Sequence, residues 1–334
     1  VTGVQTCALP IYRTKRAKPW IIFGYVLAGI SRPLIAIANS WLWVVAIRFT
    51  DRMGKGLRTS PRDALLAETV PESQRGITFG LHRSMDNAGA VIGPLLAAFL
   101  LAQGMPIRDI FFWAILPAVI TVILAFYIQE PANQKDLPEY RFSWSLQGMP
   151  DQFKRYLIVA GIFALGNSSD MFLLLRAKEL GVPQEQVPLL WAGISLITTL
   201  FGTPLSALSD SMGRKHFILI AWLAFALFYI GMGVSSASIY QVVGLFILYG
   251  LFKAATEGVE KALVADLAPQ GLRGTAFGWF NLINGLMLLP ASIVFGWLYG
   301  SIGATEAFLF SGGCAIIAFV LMAFWVFKKP SNEI

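Results

Sequence analysis

Long stretches without a charged residue recur along this chain and limit what it can fold into. Five of them lack Asp, Glu, Lys and Arg altogether: residues 110–129, 187–209, 217–234, 275–302 and 307–327. A helix needs about 20 predominantly apolar residues to cross the hydrocarbon core of a bilayer. Membrane strands are shorter and alternate polar with apolar residues, which these stretches do not. The pattern therefore predicts an all-α polytopic membrane protein.

Composition supports this prediction and excludes several classes of protein. Of the 334 residues, 56% are hydrophobic and 13% are charged, which is about half the charged fraction of an average soluble chain. Two cysteines are too few for a thiolate metal cluster, and the two histidines, His82 and His216, do not form an HExxH zinc site. Neither a Walker A motif nor a G-x-S-x-G motif is present. We expect no enzyme activity, no metal and no cofactor other than a proton gradient.

The apolar stretches predict ten transmembrane helices. They cover residues 20–38, 41–67, 78–102, 110–129, 156–175, 187–208, 217–234, 239–265, 275–299 and 307–327. One set of alternate connections, which includes both ends of the chain, holds fourteen Lys and Arg residues, and the opposite set holds three. Because Lys and Arg are enriched in cytoplasmic loops, the richer set and the C-terminus are predicted to be cytoplasmic. The net charge of +7 is thereby explained by topology, and we expect no nucleic-acid partner.

The chain repeats itself at an offset of 198 residues. Between residues 64–80 and 262–278, eight positions are identical, and Glu68 matches another acid, Asp266. A repeat of this kind predicts two parallel halves, as in one large class of secondary transporters. The C-terminal half has two helices before its basic loop at residues 207–215, and the same offset places the corresponding loop of the N-terminal half at residues 9–17. If the halves are equivalent, two helices should also precede that loop. We therefore expect twelve helices in the native protein, of which this chain is a fragment.

Residues 1–11, VTGVQTCALPI, resemble the in-frame translation of a sequencing-adapter oligonucleotide. Segments of that kind are left out of fold reasoning. On this interpretation the protein's own sequence is visible from Tyr12 onward. A native segment at these positions is the alternative.

Three motifs resemble those of the major facilitator superfamily (MFS). The first, Asp210, Gly213, Arg214 and Lys215, is similar to the cytoplasmic loop motif D-x-x-G-R-K/R. The second, Gly89, Gly93 and Pro94, is similar to the G-x-x-x-G-P motif of the family's fifth helix, which is associated with antiporters. The third, Arg48 and Phe49 followed by Gly54 and Gly56, resembles a motif of the fourth helix, except that its first glycine lies six rather than four residues after the arginine.

The resemblance implies the MFS fold, with helices 3–12 of twelve present. Its domains would be a truncated N-terminal bundle at residues 12–129, a cytoplasmic linker at 130–155, a six-helix bundle at 156–327 and a cytoplasmic tail at 328–334. The fold also implies a central cavity lined by every third helix. The predicted helices at residues 41–67, 156–175 and 239–265 carry charges in their cores and follow this period, and Arg32 in the first predicted helix is the exception.

Charges within the predicted helices supply the candidates for a substrate or proton pathway. Each charge near the bilayer centre costs about 2.5–3.5 kcal/mol, so such residues are usually functional or paired. The candidates are Arg48, Asp51, Arg52, Lys55, His82, Arg83, Asp86, Asp170, Lys253 and Glu257. Asp86 and Glu257 are the leading protonatable residues because each has a cation within reach, and Lys253 lies four residues before Glu257 on one helix face.

Structural alternatives exist for three of these groups. Asp51, Arg52 and Lys55 could form a salt-bridge network between helices. The loop motif around Asp210 could be a structural and gating clamp, and the glycine motif could allow close helix packing.

The sequence favours a monomeric secondary active transporter in the cell (inner or plasma) membrane, whose partners are the lipid bilayer and a small organic molecule. Proton-coupled efflux by alternating access is the preferred function, because of the antiporter motif and the embedded acids. Uptake or exchange of an organic anion is the alternative that the arginines favour. A receptor or scaffold that does not transport is a further one.

Overall fold

A computed structural model describes residues 17–129, 146–184, 186–235 and 238–328. The predicted adapter segment at residues 1–11, residues 130–145 of the predicted linker and residues 329–334 of the predicted tail lie outside the described residues. Most of the predicted basic loop at residues 9–17 lies outside them as well.

Thirteen α-helices make up the described part of the chain, numbered here in order. Their bounds are α1 Lys18–Ala36, α2 Trp41–Thr69, α3 Arg75–Ala102, α4 Ile107–Trp113, α5 Ile115–Phe126, α6 Asp151–Gly166, α7 Met171–Glu179, α8 Val187–Met212, α9 Arg214–Val234, α10 Ile239–Thr256, α11 Val259–Leu267, α12 Arg273–Ser301 and α13 Ala304–Leu321. A 3₁₀ turn, Glu72–Gln74, precedes α3, and a π-helical segment, Met322–Val326, follows α13.

Nine helical segments in the described ranges are long and apolar enough to cross a membrane. The one predicted helix that is not among these nine, α2, is also present as a continuous helix. The charges along it lower its mean hydropathy below that of the others. Three of the ten predicted helices are interrupted, so that α4 with α5, α6 with α7 and α10 with α11 each form one crossing. The all-α polytopic architecture is thus confirmed.

The chain divides into two compact units, neither of which is a contiguous half of the sequence. Unit 1 comprises Val1–Thr69, Ile92–Gln147 and Pro269–Leu282, and unit 2 comprises Val70–Val91, Gly148–Ala268 and Ile283–Ile334. The long helices α3 and α12 each contribute one end to each unit. The division into bundles at residues 12–129 and 156–327 stays a prediction.

In unit 1, α1 and α2 cross at two glycines. A Cβ added at Gly24 would lie 2.6 Å from the carbonyl oxygen of Gly54 and 2.7 Å from the Cβ of Arg58. The guanidinium of Arg58 lies over the ring of Tyr25, 4.3 Å from its centroid. Small residues let helix backbones approach closely within a membrane, so this crossing fixes the position of α2.

Gly24→Val is therefore expected to lower the stability of the protein by about 1–3 kcal/mol, because the added methyl groups would overlap backbone atoms of α2. Thermal unfolding of the purified protein in detergent measures the change. Gly244→Val in α10 is the matched control, since a Cβ at Gly244 meets nothing within 4 Å. Equal unfolding temperatures for the two variants would show that the crossing is not tightly packed.

Unit 2 contains a core of stacked aromatic side chains from α6, α9 and α10. The rings of Phe163 and Trp222 stack at 4.6 Å, and those of Phe228 and Tyr249 stack at the same separation. All but Phe163 are fully buried, and Phe163 is 6% exposed. Contacts between rings add to the free energy gained by burying them. This core fixes the side chain of Tyr249, which matters for the site described below.

Two helix breaks in unit 2 interrupt segments that are long and apolar enough to cross a membrane. Asn167 to Asp170 separate α6 from α7, and Glu257 with Gly258 separates α10 from α11. Close packing holds the second break in place, because a Cβ at Gly258 would lie 2.8 Å from the amide nitrogen of Gly80. Irregular backbone within a membrane is tolerated where protein covers it or where it lines a cavity. Both breaks border one cavity.

Candidate functional site

A polar cavity of about 460 Å³ lies in unit 2 beside the two helix breaks. Three of the predicted pathway residues, Asp170, Lys253 and Glu257, line it together. Their side chains are 20 to 29% exposed, so they are partly covered but accessible from the cavity. The structure thereby brings together residues that are 87 positions apart in the sequence.

Asp170 occupies the first break, immediately before α7. The hydroxyl of Tyr249 donates a hydrogen bond of 2.6 Å to its Oδ1. Its other oxygen, Oδ2, lies 3.7 Å from Nζ of Lys253. The aromatic core therefore orients this carboxylate through Tyr249 and leaves one oxygen facing the lysine.

Glu257 occupies the second break and is oriented in the same manner. The side-chain amide of Asn87, on α3, donates a hydrogen bond of 3.1 Å to its Oε2. Its Oε1 lies 3.8 Å from Nζ of Lys253, which is the pair expected from the four-residue spacing. Lys253 thus faces one oxygen from each of two carboxylates.

Aromatic rings complete the surroundings of Lys253. Its Nζ lies 5.1 Å from the ring centroid of Trp191 and 5.9 Å from that of Tyr249. Sequence reasoning missed both rings. Tyr249 could have been found, since it precedes Lys253 by one helical turn, whereas Trp191 lies on α8 with no local signal linking it to the site.

The predicted polar residues of α3 form a separate group. Asp86 lies 3.7 Å from His82 and 3.7 Å from Arg83, measured between side-chain oxygen and nitrogen atoms. The Asp86 side chain is 52% exposed and does not line the 460 Å³ cavity. The structure therefore places Glu257, but not Asp86, in that cavity.

The predicted residues of α2 lie in unit 1, beside a second cavity of about 670 Å³. Arg48, Asp51 and Arg52 line it, together with Arg32 of α1, and so does Gly93 of α3. Asp51 and Arg52 are 3.5 Å apart. The exposed Lys55 does not line this cavity.

The glycine motif of α3 does not lie at a close helix contact within the described ranges. A Cβ at Gly89 or Gly93 would meet no heavy atom within 4 Å. Pro94 lies inside α3, which continues through it to Ala102. Close packing of backbones, the structural alternative for this motif, is not what these glycines provide among the described residues.

The loop motif at the end of α8 binds the start of α3. Asp210 accepts hydrogen bonds from the backbone amides of Gly76 and Ile77, at 2.9 and 3.0 Å. The first amides of a helix lack intrahelical partners, and the helix dipole favours a negative charge beside them. Arg214 donates to Asp210 at 2.6 Å and to the Glu72 carbonyl at 2.7 Å. The alternative of a structural clamp matches this geometry.

A second acid ties the same clamp together. Asp266, in the last turn of α11 within unit 2, accepts from Arg75 at 2.5 Å and pairs with Arg214 through its other oxygen. Arg75 also donates to the Ala265 carbonyl at 3.5 Å. Within unit 1, Arg273 donates to the Ala67 carbonyl at 3.2 Å. Arg273 lies 198 residues after Arg75, and Ala265 lies 198 residues after Ala67, so the two sequence repeats make the same contact reciprocally.

Gly213 and Lys215, the other two residues of the loop motif, determine the conformation or bonding of the backbone. Gly213 has φ = +90° between α8 and α9, a conformation that L side chains rarely adopt. Lys215 donates to the carbonyl of Ala323 at 3.0 Å, in the π-helical segment. The motif therefore fixes a turn and the end of the last crossing.

Comparison with known proteins agrees with this architecture. The sequence model of the protein family described as Major Facilitator Superfamily matches residues 12–175 and 156–334. The chain belongs to this superfamily. As an MFS transporter it is not expected to need a cofactor, and no group of three or more His, Cys, Asp or Glu side chains among the described residues could hold a metal ion.

Relatives and a solved structure support the assignment. This MFS chain is 32% identical to an uncharacterised MFS-type transporter of Methanocaldococcus jannaschii, over 93% of this chain and 79% of that protein. It is 27% identical to the multidrug resistance protein MdtH of Proteus mirabilis, over 80% of this chain and 66% of that protein. The proton:xylose symporter XylE has the same fold, with a TM-score of 0.79 at 15% identity over 97% of this chain and 83% of that one.

Proposed function

We propose that this MFS transporter is a proton-coupled exporter of a small organic molecule, working by alternating access in the cell membrane. The arrangement of Asp170, Lys253 and Glu257 around one cavity carries the proposal. Embedded charges are retained within membranes mainly where they serve transport, proton relay or ligand binding. A carboxyl group that faces a cation can couple its protonation to the release of that cation.

The helix breaks support a binding site at this position. Discontinuous helices near the membrane midplane form substrate and ion sites in several transporter folds, because they free backbone groups for ligands. Asp170 and Glu257 each occupy such a break. We assign proton coupling to these two acids, in preference to Asp86.

Two bundles, residues 12–129 and 156–327, are proposed to rock against each other. The clamp of Asp210, Arg214, Arg75 and Asp266 would then stabilise one end state. The distribution of Lys and Arg places this clamp and the C-terminus in the cytoplasm. Efflux is favoured over uptake by the relationship to MdtH.

Everted membrane vesicles from cells that express the full coding sequence test this proposal. After a pH gradient is established and reported by acridine orange, addition of a substrate of a proton antiporter is expected to dissipate part of the gradient. Ethidium, tetraphenylphosphonium and benzoate are suitable first probes. Vesicles without the protein are the control. If the probes dissipate the pH gradient no more than they do in these control vesicles, for cations and anions alike, the result would favour a receptor or scaffold.

Organic-anion transport is a second candidate, and the cavity in unit 1 favours it. Arg32, Arg48 and Arg52 line that cavity against the single acid Asp51, and guanidinium groups bind carboxylates through paired hydrogen bonds. A response to benzoate alone, lost in Arg52→Ala at every pH, would establish this candidate instead.

A further inference from the structure

Lys253 lies in a position that suits a ligand cation better than it suits the lysine. We propose that the ammonium group of a small organic cation replaces the Lys253 ammonium between Asp170 and Glu257 during transport. The proposal rests on the proposed function and names its substrate class. It follows from how the two carboxylates are held.

Both carboxylates are oriented without the help of a cation. Tyr249 donates to Oδ1 of Asp170 and Asn87 donates to Oε2 of Glu257. The remaining oxygens, Oδ2 and Oε1, are the ones that face Lys253. Neutral donors thus hold two acceptors toward one point, so their geometry does not depend on the lysine. A preorganised site loses less free energy on binding a ligand.

Lys253 itself is held loosely at this point. Its separations of 3.7 and 3.8 Å from the carboxylate oxygens exceed the 2.7–2.9 Å typical of charge-assisted hydrogen bonds. A flexible four-carbon stem lets a lysine ammonium leave such a position readily. A ligand cation has no stem that ties it to α10, so it can centre its charge between the two oxygens.

The remaining surroundings also select a cation. The face of Trp191, 5.1 Å from Nζ of Lys253, attracts a positive charge through its ring quadrupole. Glu260 adds a third acid to the lining, against the single lysine. Phe163, Phe252 and Leu288 supply apolar walls for the body of the ligand. An anion would meet three acids in this cavity.

Isothermal titration calorimetry of the purified full-length protein tests the inference. Butyltrimethylammonium is expected to bind and hexanoate, at equal ionic strength, is not. In Lys253→Met, where the competing ammonium is absent, the cation is expected to bind about 10-fold more tightly, because no part of the population is blocked. Lys253→Arg keeps a competing charge and should show no gain, and Lys253→Met with Asp170→Asn should lose the gain.

A measurement on the native protein avoids the risk that Lys253→Met misfolds. When butyltrimethylammonium displaces Lys253, acetylation of this lysine by acetic anhydride, quantified by mass spectrometry, should increase, whereas hexanoate should not change it.

Hexanoate binding that disappears in Lys253→Met would overturn the inference. It would also be overturned if the cation bound no more tightly to Lys253→Met and did not increase the acetylation of Lys253. Cation binding without proton-coupled flux would reject the proposed function alone, and coupled flux of another substrate without cation binding would reject only this inference.

Discussion

Replacing Asp170 by asparagine is expected to abolish transport driven by a pH gradient. Asparagine keeps an acceptor for the Tyr249 hydroxyl but cannot take up a proton. It also removes one of the two negative charges that face Lys253. We expect the gradient-driven response in everted vesicles to fall more than about 10-fold, whereas exchange of substrate across the membrane without a gradient should persist, because exchange needs no net proton transfer.

Asp151→Asn is the matched control for this prediction. It makes the same chemical change on α6, the helix that precedes Asp170, at a side chain that is 75% exposed. Its gradient-driven transport should equal that of the native protein. Glu257→Gln should behave as Asp170→Asn does. If Asp86→Asn abolished coupling and Asp170→Asn did not, the proton site would lie on α3 instead.

Removing the carboxylate of Asp266 is expected to have the largest effect on stability. In Asp266→Ala, Arg75 and Arg214 would both lose a partner while their side chains stay 4% and 9% exposed. An uncompensated buried charge is strongly destabilising. Remaining acceptors, such as the Asp210 carboxylate for Arg214, reduce the loss to about 2–3 kcal/mol of unfolding free energy.

Thermal unfolding of the purified protein measures this loss. The exposed pair of Asp151 and Lys154, 3.0 Å apart, provides the comparison, since exposed ion pairs contribute little to stability. Asp151→Ala should unfold at the native temperature, and Asp266→Ala well below it. Identical unfolding temperatures for these two variants would mean that the clamp does not hold the helix ends together.

The sequence allowed much of the architecture to be predicted, because each signal was local. Charge-free stretches are long enough to cross a membrane by themselves, so the helices and their order could be identified without any tertiary contact. The 198-residue repeat was also readable from the chain alone. Its consequence, that Arg75 and Arg273 make equivalent contacts with Ala265 and Ala67, needed the structure.

The helix breaks were only partly readable. Asn167, Ser168, Ser169 and Asp170 are residue types whose side chains compete for backbone hydrogen bonds and favour helix ends. That signal was available, but the surrounding apolar stretch concealed it. At Glu257 and Gly258 the break depends on close contacts of Gly258 with Gly80 and Ser206, which no local pattern reports.

The sequence by itself determined that this is a membrane transporter of helical repeats, since hydropathy, charge distribution and repeats act through short segments of chain. Tertiary structure alone decided which charges from different segments of the chain meet. Lys253 faces Asp170, in the break before α7, and Trp191, on α8, while Asp86 pairs with residues of its own helix. Electrostatic interactions depend on distance in space rather than along the chain, and that distance is set by helix packing.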